Sequence, residues 1–192
     1  LPESTQNILK LAACIGNQFD LATLAIICEK SEAEAATDLW KALQEGLVLP
    51  QSEVYKFYLE SELQSRNELE DEQIKNCNSN YKFLLDRIQQ AAYYLIPDAQ
   101  KQYTHLSIGR LLLKEFSDED KFEIIFDIVN QLNLGKSVVE SSEERQQLAQ
   151  LNLEAAKKAK LSAAYQATYN YCNIGINLLS RENWLTNYKL IY

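Results

Sequence analysis

The feature that most constrains this chain is an apolar stripe with the period of an α-helix. In DEDKFEIIFDIVNQLNLG, Phe122, Ile125, Phe126, Val129 and Leu132 recur at i, i+3, i+4, i+7. Residues so spaced share one helical face, and that face is stable only when another element covers it. The same period returns along most of the chain. Ile8, Leu9, Ala12 and Ile15 share a face in residues 4–16, as do Ala35, Leu39, Ala42 and Leu43 in SEAEAATDLWKALQEG, and Ile88, Ala91, Ala92 and Leu95 in the block that ends at Pro97. Only 5 Gly and 3 Pro punctuate the 192 residues, so helices joined by short turns are expected and a sandwich or barrel is not. The expected class is all-α.

Start and stop signals divide the pattern into elements. Ser4 and Thr5 are capping candidates for the first helix and Gly16 is its stop. Asp20 opens DLATLAIICEK, and Ser31 with Glu34 three residues later makes a capping box for the third helix, which Gly46 ends. Two extended stretches follow, LVLPQSEVYKFYL and NYKFLL, each containing YKF, at 55–57 and 81–83. Between them, residues 60–80 carry six acids against two bases and read as a mobile, acidic surface excursion. Three helices followed by a hairpin is the order of a winged-helix domain, a variant of the helix-turn-helix.

The helical pattern resumes after Leu84. In AQKQYTHLSIGRLLLKEF, Leu106, Ile108, Gly109, Leu112 and Leu113 compete for burial, and from Asp118 a single helix is expected to run to a cap at Gly135. The last pair, SSEERQQLAQLNLEAAKKAK and SAAYQATYNYCNIGINLL, has small residues at its crossing: Ala155, Ala156, Ala159, then Ala164, Ala167 and Gly175. Ala167, Tyr171, Gly175 and Leu178, followed by Trp184, resemble the second helix of a tetratricopeptide repeat. The expected domains are a winged helix at 1–97 with a short β-wing, and an α-helical, tetratricopeptide-like array at 98–192.

Charge narrows the function. A net charge of −8 repels a phosphate backbone, so nucleic acid is not the expected partner. No apolar run reaches the roughly 18 residues that span a bilayer, and no signal peptide is visible, so no membrane partner is expected. Cys14, Cys28, Cys77 and Cys172 have no metal-ligand spacing; three of them lie in apolar helical patterns, where a free Cys is a small hydrophobe, and a reducing cytoplasm is expected. The absence of Met and the opening LPESTQ suggest a piece of a longer protein.

Catalytic signals are weak. GxxxxGK[ST] and GxGxxG are both missing. His105 is the single histidine, with no nucleophile at i±3 or i±4, and the acids of LEDE and SDED lie in polar segments where acids are normally solvated. No catalytic residue, metal site or cofactor is expected in this chain. The rival reading is a DNA-binding winged-helix transcription regulator. Its third helix, however, sets Glu32, Glu34, Asp38 and Glu45 against Lys41 alone, the wrong sign for phosphate.

The runs TQNILKLAACIGNQFDLATLAIICEKS, LWKALQEGLVLP, YKFLLDRIQQAAYYLIPDAQKQYTHLSIGRLLL and IFDIVNQLN resemble a region of cyanobacterial hybrid signalling proteins. These join a serine/threonine kinase, an AAA/STAND-type ATPase module, a GAF domain and a sensor histidine kinase of a two-component system. The resemblance covers about Thr5 to Trp184. It implies a winged helix and the start of a helical-repeat arm, following the ATPase core. ATP or ADP and Mg would be cofactors of the parent protein, and the partners would be other domains of the same polypeptide or a signalling protein. Related STAND ATPases carry Met-His-Asp where the wing meets the next helix, and that His senses ADP. The matching positions are Leu84, Leu85 and Asp86. Hybrid kinases of this type show Phe-Leu-His-Asp-Arg, so Leu85 stands where His is expected, and Leu cannot donate a hydrogen bond. Only Asp86 could keep the helix-capping part of the motif.

Overall fold

Pro2, with φ −53°, leads the chain into helix α1 (Glu3–Ile15), and its carbonyl accepts from the Gln6 amide at 3.0 Å. Ser4 and Thr5 therefore lie inside the helix rather than capping it, and Thr5 is buried. This is a computed structural model, and it describes residues 1–51 and 80–179. All of the acidic excursion except Asn80, the first YKF, Cys77 and Trp184 fall outside those residues. The described chain is mostly helical with one small sheet, and it divides into two compact units, Leu1–Pro97 and Asp98–Tyr192.

In the first unit a three-residue strand, β1 (Gln18–Asp20), follows α1. It was not expected from the sequence. Asp20 then caps α2 (Leu21–Cys28), its carboxylate accepting from the Thr23 amide at 2.7 Å. Helix α3 (Glu32–Gln44) carries the expected capping box, with Ser31 Oγ accepting from the Glu34 amide and the Glu34 carboxylate from the Ser31 amide. Gly46, at φ 67°, turns the chain toward β2 (Val48–Pro50). The second strand of the hairpin, β3 (Asn80–Phe83), lies between β1 and β2 and is antiparallel to both, with Phe19 opposite Tyr81 and Val48 opposite Phe83. Pro50 is tolerated because β2 is at an edge.

Strand β3 alternates outward and inward, so Tyr81 and Phe83 point into the core. There Phe19 stacks on Tyr81 (centroids 5.9 Å apart) and tilts against Phe83 (5.7 Å), over Leu9, Ala12, Leu24 and Leu39. Helix α4 (Asp86–Tyr94) packs on this core through Ile88, Ala92 and Tyr93. The expected face is rotated: Ala91 and Leu95 are exposed, while Ala92 and Ile96 are buried. The run AAYYLI is nearly continuous in apolar residues, so its period is ambiguous. Gln89 resolves it by donating to the Ala13 carbonyl at 3.0 Å.

The second unit comprises α5 (Asp98–Glu115), α6 (Asp118–Glu123), α7 (Ile125–Leu134), a 3₁₀ turn at Lys136–Val138, α8 (Ser142–Leu161) and α9 (Tyr165–Leu178). The single helix expected from Asp118 is broken at Ile124 (φ −98°, ψ 17°). Phe122 is consequently exposed, while Ile125, Val129 and Leu132 are buried. The break frees two carbonyls, of Phe122 and Glu123, and Lys158 from α8 donates to both, at 2.7 and 2.9 Å. Its ammonium also lies 4.7 Å from the Phe122 ring centroid. In α5, Leu106, Ile108, Gly109 and Leu112 are buried and Leu113 is only half-buried. Ala155, Ala156 and Ala159 of α8 and Gly175 of α9 are buried, whereas Ala164 is exposed and precedes α9.

Two glycines give opposite predictions. A Cβ on Gly135 would stand 2.7 Å from the Gln102 carbonyl oxygen and 2.8 Å from the Leu106 amide nitrogen, both backbone atoms of α5. Gly46 has open space but a positive φ. Gly135→Ala is expected to lower unfolding free energy by about 2–3 kcal/mol, and Gly46→Ala by only about 1 kcal/mol. Urea denaturation of the two variants checks the order.

Candidate functional site

The segment Leu84–Leu85–Asp86–Arg87 is positioned by main-chain bonds on both sides. The Phe83 amide donates to the Asn17 carbonyl and the Leu84 amide to the Leu47 carbonyl, each at 3.0 Å. This anchors the end of β3 to the flanks of both neighbouring strands. Leu85 is extended (φ −137°, ψ 143°), and its carbonyl accepts from the Ile88 amide at 2.9 Å as α4 begins. The side chains of Leu84, Leu85, Asp86 and Arg87 are all exposed, Leu85 by 58%. Asp86 is the first helical residue, where its charge meets the positive end of the helix dipole. No side-chain capping bond is made at this end. The acid–base pair is thus a helix start, and two adjacent leucines on an anchored corner are its unusual feature.

His105 is buried in α5, and its Nδ1 lies 2.6 Å from Oε1 of Gln131 on α7. The amide oxygen can only accept, so Nδ1 carries the proton. This is a tie between two packed helices. A second tie joins α7 to α8: the amides of Asn133 and Asn152 exchange hydrogen bonds at 2.9 and 3.0 Å, and Asn152 Nδ2 also donates to the Leu148 carbonyl at 2.8 Å. A third joins α5 to α8, where the Arg110 guanidinium makes two 2.7 Å bonds to the Glu144 carboxylate. That guanidinium holds the Glu144 carboxyl below its ordinary range. The pair borders a cleft of about 180 Å³ floored by Leu106, Leu113, Leu132, Val139, Leu148 and Leu151. Sequence reasoning missed all three ties, because their partners are 19 to 34 residues apart.

The other candidates are absorbed by local structure. In SDED, Ser117 Oγ caps α6 by accepting from the Asp120 amide and donates to the Asp120 carboxylate. LEDE lies outside the described residues. On α3, Asp38 pairs with Lys30, Glu45 with Lys41, and Glu34 closes the capping box. Cys14, Cys28 and Cys172 are free thiols, and burial pushes the Cys28 thiol up to about 11, so it stays protonated and unreactive. Among the described residues no group of three His, Cys, Asp or Glu could hold a metal ion, and no helix is long and apolar enough to cross a membrane.

The chain is similar to the hybrid signal transduction histidine kinase G of Dictyostelium discoideum, with 30% identity over 229 aligned positions. The match takes in the whole of this chain but only 7% of that protein. No family model and no solved structure matches. The similarity supports a signal-transduction context for the chain.

The Arg110–Glu144 pair generates a pH-dependent prediction. The folded-state pKa of Glu144 is lowered, so its stabilisation is present above the unfolded-state pKa and is lost as the pH falls through the folded-state value. The Arg110 side chain is about half exposed, at 53%, which keeps the coupling small. A double-mutant cycle of Arg110→Ala and Glu144→Ala is expected to give about 0.5–1 kcal/mol near neutral pH. The coupling should fade as the pH falls below the ordinary carboxylate range, as read by urea unfolding at each pH.

Proposed function

We propose that this chain is a non-catalytic coupling segment of a larger signalling polypeptide. In this reading the first unit is a winged helix and the second begins a tetratricopeptide-like arm. The observation that carries the reading is the exposed Leu84–Leu85 pair, held on an anchored corner where the central strand meets α4. Adjacent exposed leucines at a fixed position suit reversible docking on another domain of the same chain. The strand order β1-β3-β2 and the helix succession α1, α2, α3 support the winged-helix assignment. Similarity to a hybrid histidine kinase supports the signalling setting, whether in a cyanobacterial-type serine/threonine kinase hybrid or another arrangement.

The docking partner in this proposal is an upstream STAND-type ATPase module, which would hold ATP or ADP with Mg. Leu84–Leu85–Asp86 then occupies the latch position. With leucine in place of histidine the contact is apolar, so it responds to domain closure and makes no direct hydrogen bond to phosphate. The helical pair of the second unit would pass that state to a downstream sensor or kinase, in the cytoplasm. The DNA-binding rival is disfavoured by α3, whose cation Lys41 is paired with Glu45, while Lys30, just before the helix, is paired with Asp38.

Two substitutions test the reading in the intact polypeptide. Leu84→Ser combined with Leu85→Ser is expected to leave stability within about 0.5 kcal/mol, since both side chains are exposed. It should nevertheless change kinase output several-fold; unchanged output would count against docking at this corner. Leu85→His is expected to slow ADP release about tenfold by restoring a phosphate donor. Unchanged ADP release would count against the latch position alone. Sequence-dependent binding in a low-salt gel shift would instead favour the regulator.

A further inference from the structure

The apolar stripe Phe122, Ile125, Phe126, Val129 and Leu132 has the period of one unbroken helix, yet the fold divides it at Ile124. On either side of the break the bonding is helical. The Ile124 amide donates to the Asp120 carbonyl at 3.2 Å, which ends α6, and the Ile124 carbonyl accepts from the Ile128 amide at 3.1 Å, which opens α7. In an unbroken helix the carbonyls of Phe122 and Glu123 would accept from the amides four residues on, those of Phe126 and Asp127. Here both carbonyls accept from the Lys158 ammonium, at 2.7 and 2.9 Å. The same ammonium lies 4.7 Å from the Phe122 ring centroid, 5.6 Å from that of Phe126 and 3.6 Å from the Glu123 carboxylate. Its side chain is only 19% exposed, whereas Lys157 and Lys160 on the same helix are exposed.

We propose that residues 118–134 are a two-state element, broken at Ile124 while Lys158 holds the two carbonyls and one continuous helix once that ammonium is withdrawn. Local chemistry supports each state. In the broken state the ammonium sits at the carbonyl end of α6, where a cation is favoured, and Asp127 places an acid in the first turn of α7. An ammonium carries three donors, so one lysine can serve both carbonyls. In the continuous state the carbonyls return to backbone amides, and Phe122, 48% exposed in the broken form, rejoins the stripe of Ile125, Val129 and Leu132. Only Phe116 and Ser117 join α6 to α5, so straightening a six-residue α6, about 9 Å long, draws on the last turn of α5. The junction thereby links α8, through Lys158, to the end of α5. This device does not depend on docking at Leu84–Leu85.

Amide hydrogen exchange of the intact 192-residue chain, read by NMR, tests this. Phe126 lies in the first turn of α7, where amides have no acceptor within the helix, so its amide is expected to exchange rapidly in the parent chain. Lys158→Met keeps the apolar stem and removes the donors. In that variant the Phe126 amide should exchange about tenfold more slowly, as it takes up the Phe122 carbonyl, and the Ile124 Cα chemical shift should become helical. Lys158→Arg retains charge and donors and should leave both readings at the parent values. Unchanged Phe126 exchange in Lys158→Met overturns the proposal, because packing and not Lys158 would then set the break. A Phe126 amide already protected in the parent chain overturns it too. So does a Lys158→Met chain in which the amides of α8 lose their protection, since Lys158 would then hold the whole unit and not choose between two forms of one junction.

Discussion

The first unit depends on β3 inserting between β1 and β2. Residues 80–83 return after a long stretch of sequence and supply the pairing surface for two strands that do not touch each other. Closing such a stretch costs conformational entropy, though each doubling of its length adds only about 0.6 kcal/mol. Burial of Tyr81 and Phe83 opposes that cost, each contributing about 1.5–3 kcal/mol. The aromatic cluster with Phe19 follows from this insertion, and so does the start of α4. The exposed corner at Leu84–Leu85 exists because the Phe83 amide is fixed on one side by Asn17 and the Leu84 amide on the other by Leu47.

The second unit is held by a different device. Its helices approach closely at glycine and alanine, as at Gly109, Gly135 and Gly175, and are cross-tied by buried side-chain amides. Close packing supplies contact, and the amide pairs fix which rotation of each helix is allowed. Lys158 adds a brace at the break at Ile124, binding the carbonyls that the break leaves open.

Much of this was legible in the sequence where the signal is local. The Ser31–Glu34 box and the Asp20 cap lie within three residues of their partners, and the inward faces of α1 and α3 follow a clean helical period. The rest fails for definable reasons. Strand β1 is too short for alternation to register, and its identity comes from β3, some sixty residues later. In AAYYLI the apolar residues are so dense that only Gln89, reaching across to Ala13, decides the inward face. The break at Ile124 is invisible because the stripe through Phe122 is continuous on paper. The candidate corner was found through resemblance to signalling ATPases, since exposed leucines carry no motif of their own. His105 looked isolated along the chain, and only the fold brings Gln131 to it.

The brevity of β1 bears on how other molecules can engage the sheet. It occupies one edge and is boxed between the end of α1 and the start of α2, with three residues available for pairing. An incoming peptide that sought to extend the sheet there by strand addition would find one or two ladder bonds and then helix on either side. That edge is thereby protected from templated aggregation without a lysine, proline or bulge to guard it. Recognition along this side of the molecule must be made by side chains.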